Sequence, residues 1–161
     1  MKQRRTRIHL RLTLDEARQA LTDLRHDSFE HGLSGALSEL VKTANAERDT
    51  PICLEVSGTS VALPEATSRT LLLVVREAIR NAVLHASSAA VIVRLIYTRA
   101  QVRLEVQDDG CGFEPTPRLA ASGHFGILGM RERMEQIRGS LEVVSSPGKG
   151  TRIAASLPLG H

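Results

Sequence analysis

Along residues 101–108 the chain reads QVRLEVQD, with apolar Val102, Leu104 and Val106 alternating with polar Arg103, Glu105 and Gln107. A period of two predicts a strand with one face against a core and the other in water. The alternation carries Asp108 onto the core face, where a carboxylate must find hydrogen-bond donors or lose its charge. The preceding VIVRLIYT predicts an adjacent strand, joined through a hairpin near Arg99 and Ala100. ICLEVSG predicts a short strand, and SLEVVSS and TRIAASLPL two final ones separated by PGKG.

Between these runs the period changes. Leu10, Leu14, Ala17, Leu21 and Leu24 follow one another at spacings of four and three, the narrow seam of a helix that packs in a bundle or coiled coil or folds back on its own domain. Thr13 and Glu16 resemble a capping box within it. RHDSFEHG breaks the pattern, and a second helix follows through Leu33, Leu37, Leu40, Val41 and Ala44. Pro64 opens the first turn of a long helix running to near Ala86, with Leu71, Val75, Ala78, Ile79, Ala82 and Ala86 as its apolar stripe. EPTPRLAASGH has no periodicity and predicts a mobile loop, after which Ile127, Met130, Met134 and Ile137 define a short helix stopped by Gly139. The economical architecture is α+β: a two-layer sandwich with a mixed, largely antiparallel sheet, preceded by a helical segment.

Composition narrows the chemistry. The 161 residues suffice for one domain with a core plus an added helical segment. The net charge of +3 is concentrated in the leader MKQRRTRIHLR, and one Tyr, three Phe and no Trp leave little for stacking on bases, so direct nucleic-acid binding is not expected. Cys53 and Cys111 stand far apart without CxxC spacing, which argues against a zinc site or a disulfide framework and for a reducing, cytoplasmic setting. No apolar run reaches the roughly 18 residues of a membrane span, and the basic, polar opening is not a signal peptide, so no membrane contact is expected of this chain.

Four polar or glycine-rich stretches remain. In REAIRNAVLHA, Glu77, Asn81 and His85 recur every four residues beside the apolar stripe, so they either line a solvated face or converge on one ligand. For a nucleotide with magnesium, the Asn81 amide oxygen is a hard ligand, Glu77 can orient a water or accept a proton, and His85 can meet a phosphate or stabilise the helix end. In DDGCGF, Gly110 and Gly112 permit either a surface turn or a close approach to the backbone. GHFGILGM places Gly123, Gly126 and Gly129 around a helix start, where backbone N–H groups can face a phosphate. PGKGT, with Gly148, Gly150 and Thr151, reads as a hairpin turn entering a strand. Neither a Rossmann fingerprint nor a P-loop is present.

In this order the four stretches resemble the N box and three glycine boxes of the gyrase, heat-shock chaperone, histidine kinase and mismatch-repair ATPases, which share the Bergerat fold. GMRER and the preceding LTLDEARQALTDLR resemble bacterial sensor histidine kinases, in which the second helix of a dimerisation bundle runs into the catalytic domain. The resemblance implies that residues 1–27 are a remnant of that bundle and 28–161 the ATP-binding domain. It implies ATP and Mg2+ as cofactors, with Asp108 accepting from the adenine amino group, Thr151 assisting, and Gly110 and Gly112 letting the base lie close. Asn81 matches the magnesium ligand, and Glu77 and His85 match the polar N-box positions. Gly126 and Gly129 match the junction of the lid with its helix, Arg131 and Arg133 either contact phosphates or are solvated, and Gly148 and Gly150 complete the third glycine box.

By the same resemblance the γ-phosphoryl group goes to a histidine on a bundle helix that this sequence lacks. His26-Asp27 imitates the acceptor dipeptide but falls in the break after the second bundle helix. The implied partners are the phosphoacceptor bundle, a response regulator and, in the full-length protein, a second copy in a homodimer. The alternatives are a hydrolysing ATPase of gyrase or mismatch-repair type with Glu77 activating water, and a noncatalytic dimerisation module with a degenerate pocket.

Overall fold

The computed structural model describes residues 31–116 and 125–160. The Leu10–Leu24 seam, its capping box, His26-Asp27, Gly123 and most of EPTPRLAASGH lie outside these residues. Within them the order is α1 (Gly32–Glu47), β1 (Ile52–Ser57), α2 (Glu65–Leu84), β2 (Val91–Tyr97), β3 (Gln101–Asp108), α3 (Phe125–Gln136), β4 (Ser140–Ser145) and β5 (Thr151–Pro158). The five strands form one sheet in the order β1-β2-β3-β5-β4.

Three of the four ladders are antiparallel, and β1–β2 is parallel because the chain crosses over through α2 before returning. In the hairpin between β2 and β3, the Thr98 amide donates to the Gln101 carbonyl at 2.9 Å. At the sheet edge, Asn45 stands in for a strand: Nδ2 donates to the Ile52 carbonyl and Oδ1 accepts from the Ile52 amide, fixing the turn from α1 into β1.

The helices cover one face. α2 packs on β2, β3 and β5, with α1 on one side and α3 on the other. Its stripe of Leu71, Val75, Ala78, Ile79 and Ala82 meets Val93, Leu95, Val102, Leu104 and Val106 of the sheet in a continuous core. Pro64 occupies the N-cap position, one residue ahead of the helix, rather than its first turn. α3 buries Ile127, Met130 and Met134, while Ile137 is half-buried.

The stop after α3 differs from the glycine cap that the sequence suggests. Arg138, not Gly139, takes the left-handed conformation (φ 60°), and the Gly139 amide donates to Met134 O at 2.8 Å. Gly139 is required for space instead: a Cβ there would stand 2.4 Å from Met134 Cε and 2.9 Å from Ser156 O.

On the opposite face of the sheet, Arg94, Arg103 and Arg152 converge on Glu105, with Glu55 and Glu142 compensating the remaining charge. The Arg103 hydrogen bond, ahead of the attraction of the arginines, holds the Glu105 carboxyl below its ordinary value against the opposing effect of burial. These arginines are paired with neighbouring carboxylates. No helix among the described residues is long and apolar enough to cross a membrane.

Candidate functional site

The alternation of β3 delivers Asp108 to the core face, as its period requires, and Asp108 is 8 % exposed. Two backbone amides satisfy it there: Gly110 N donates to Oδ1 at 2.8 Å and Thr151 N to the same atom at 3.3 Å. Oδ2 takes no hydrogen bond from the described residues. Burial raises the carboxyl above its ordinary value, the two amides oppose that rise, and neighbouring Asp109 adds to it.

Thr151 is the direct cross-strand partner of Asp108 in the β3–β5 ladder, which places the two side chains on one face. Its contact with Asp108 is made by the amide; its hydroxyl lies 2.8 Å from Ser145 Oγ. The glycines close the construction. A Cβ on Gly110 would come 2.3 Å from Ala86 O, and one on Gly150, already at φ +72°, 2.1 Å from Asp108 O. Gly112 (φ +61°) is pressed against Ser146 O in the β4–β5 turn, and Gly148 N donates to Cys111 O at 2.6 Å. DDGCGF is therefore a close-packed junction with the PGKGT turn, and not a free surface turn.

Asp109, exposed, accepts from Ala90 N and Ala89 N, and those amides hold its carboxyl below the ordinary value. Together with the Cys111 N to Ala86 O bond at 2.7 Å, it ties the end of β3 to the end of α2.

That end of α2 carries the polar row. Gly126, in the first turn of α3, abuts two members of it: a Cβ there would lie 2.3 Å from Glu77 Oε1 and 3.4 Å from Asn81 Nδ2. Glu77 and Asn81 are thus brought together beside a helix N-terminus, with Arg80 3.6 Å from Glu77. His85 is exposed at the C-cap of α2, where its amide donates to Asn81 O. Arg131 is exposed and Arg133 half-buried; Gly129 sits in α3 near Arg133, and nothing lies within 4 Å of a Cβ on Gly148, whose φ of +77° makes it a turn glycine.

Among the described residues no three His, Cys, Asp or Glu side chains group as a metal cage. The donor set of Glu77 and Asn81, one carboxylate and one amide, suits magnesium, which takes one or two protein oxygens and fills the rest of its octahedron with water and phosphate. The residue that motif reading misses is Ser145, buried among Asp108's neighbours. A signal for it exists, since it follows Leu141 and Val143 at a period of two and so falls on the core-facing side of β4.

Residues 66–161 match the family described as histidine kinase-, DNA gyrase B-, and HSP90-like ATPase. The chain is 30 % identical over 148 residues to the signal transduction histidine-protein kinase/phosphatase DegS of Brevibacillus brevis, covering 91 % of this chain and 38 % of that protein. It is 34 % identical over 146 residues to the sensor histidine kinase LiaS of Bacillus subtilis, covering 90 % and 39 %. Among solved structures, a blue-light activated histidine kinase of Erythrobacter litoralis superposes with a TM-score of 0.62 at 27 % identity, over 79 % of this chain and 42 % of that one. The chain therefore spans less than two fifths of these curated relatives.

Proposed function

Because the chain belongs to the histidine kinase-, DNA gyrase B- and HSP90-like ATPases and is built as the ATP-binding catalytic domain of a histidine kinase, we propose that it binds ATP with its purine on Asp108. It then presents the γ-phosphoryl group to a histidine on a helical bundle outside the described residues. In this reading residues 1–27 are the remnant of that bundle, and a cognate response regulator and a second copy of the full-length protein are the further partners, on the cytoplasmic side.

The observation that carries the reading is the Asp108 carboxylate: buried, anchored through one oxygen by two amides, and without a hydrogen bond from the described residues at the other. A carboxylate in that state is a strong acceptor for an amino group, and Gly110 leaves room for a flat base against the backbone. Gly112, Gly148 and Gly150 shape the adjoining turn, and Thr151 flanks the purine.

At the phosphate end, Asn81 would hold the magnesium ion, which supplies charge neutralisation to the phosphates. His85 at the end of α2, the Gly126–Gly129 start of α3 and Arg131 would complete the phosphate surroundings. Phosphoryl transfer needs little covalent help from a protein, so the residues' work is to position the nucleotide and exclude competing geometries. Glu77 orients the acceptor or takes its proton.

Any ligand that binds the native state alone raises its melting temperature. ADP or Mg·ATP should raise that of the wild-type chain, and Asp108→Ala should abolish the rise. An equal rise in the variant would refute the assignment.

A further inference from the structure

Ser145 lies buried at the end of β4, directly opposite Thr151 across the β4–β5 ladder. Three groups stand within hydrogen-bonding distance of its Oγ: the Phe113 amide nitrogen at 2.9 Å, the Gly150 carbonyl oxygen at 3.1 Å and Thr151 Oγ1 at 2.8 Å. Chemistry fixes two of the roles, because a backbone N–H donates and a carbonyl accepts. A serine hydroxyl offers one proton and two lone pairs. Phe113 takes one lone pair and Gly150 takes the proton. All three contacts are satisfied together only if Thr151 donates its own proton into the remaining lone pair.

Thr151 then has only lone pairs left for anything above it. Its neighbour Asp108 likewise offers only the open Oδ2. We propose that Ser145 is a specificity-determining residue of the nucleotide site: by engaging the Thr151 proton, it makes the site's floor a pair of adjacent acceptors. The proposal rests on the reading of this floor as the purine site.

The consequence concerns which purine edges fit. Adenine presents its 6-amino donor beside N1, an acceptor. The amino group meets Asp108 directly, but N1 reaches Thr151 only through a water that donates to both. Isoguanine, which is adenine with an oxo group at C2, carries a proton on N1 in its keto form and offers two adjacent donors. That edge matches two acceptors without the water. Freed from Ser145, the Thr151 hydroxyl can turn its proton toward N1 of adenine, and the advantage of the second donor is lost.

The test is calorimetric titration of the whole chain with ADP, isoguanosine diphosphate and purine riboside diphosphate, which lacks the 6-amino group. The affinity for isoguanosine diphosphate relative to ADP should be about five- to tenfold higher in wild type than in Ser145→Ala, the size of one hydrogen bond. Any steric effect of the 2-oxo group is common to both proteins and cancels in this comparison. Thr151→Val should lower the ratio in the same way with Ser145 intact, which keeps the test decisive if Ser145→Ala does not fold. Ser145→Thr, which retains the hydroxyl, should keep the wild-type ratio. One ratio shared by wild type and Thr151→Val overturns the proposal. Equal binding of ADP and purine riboside diphosphate by wild type would instead overturn the purine-site reading beneath it, a separate outcome.

Discussion

The two ends of the proposed nucleotide site are built differently. At the proposed purine end, Asp108, Ser145 and Thr151 are each at most 8 % exposed, and the backbone amides of Gly110, Phe113 and Thr151 converge on Asp108 and Ser145. At the phosphate end, Glu77 and Asn81 are half-buried, His85 and Arg131 are exposed, and the contacts are those of a helix face against one glycine. The proposed purine end is anchored in the sheet and held by hydrogen bonds within the protein. The proposed phosphate end draws on helix surfaces, with Glu77 and Asn81 facing the first turn of α3.

The largest expected effect tests the organised end. Asp108→Asn keeps an oxygen for the Gly110 and Thr151 amides but turns an NH2 group toward the ligand's amino group, donor against donor. Losing that charge-assisted bond costs about 2–3 kcal/mol, so ADP affinity should fall roughly 30- to 150-fold.

The same variant should not destabilise the free protein, and the sign follows from the raised carboxyl of Asp108. Below the ordinary carboxylate range, native and unfolded chains are both protonated and burial costs nothing. As pH rises from the ordinary value through the raised one, the native state loses stability relative to the unfolded chain, and above it the loss is complete. Asp108→Asn removes that loss, so at neutral pH the unliganded variant should melt at or above wild type, with the gap closing in acid. Melting curves across pH check it.

A smaller effect separates the ends through their glycines. Gly110→Ala sets a methyl against the Ala86 carbonyl, which is backbone, and should cost about 1–3 kcal/mol in urea unfolding. Gly126→Ala meets the end of the Glu77 side chain, which can swing away, so its stability cost should be clearly the lower of the two. Smallest is Asn81→Ala: Mg·ADP affinity should fall several-fold, while ADP titrated in the presence of a chelator should bind the variant and wild type alike.

Much of this was legible in the residues. The period of two in QVRLEVQD places Asp108 in the core, and the i, i+4 row brings Glu77 and Asn81 to one face, because both depend only on local geometry. The hairpin at Arg99 and Ala100 follows from two adjacent strands with nothing between them but a turn. The parallel pairing of β1 with β2 was less visible, since its hydrogen bonds join residues some 40 positions apart and only the intervening helix hints at it.

Other details depend on tertiary contacts that no window contains. The residue after α3 that needs room is Gly139, for Met134 and Ser156, while the left-handed turn falls to Arg138. Thr151 approaches Asp108 through its amide because its hydroxyl is taken by Ser145. Ser145 itself was one of two serines closing SLEVVSS, and only alternation along that short strand distinguishes it from Ser146.

The most direct trial is a crystal structure of the chain with ADP bound. The expected result is the purine 6-amino nitrogen within about 2.7–3.2 Å of Asp108 Oδ2, with the base lying against Gly110. A purine bound elsewhere, or an Asp108 whose free oxygen faces only solvent in the complex, would contradict the account.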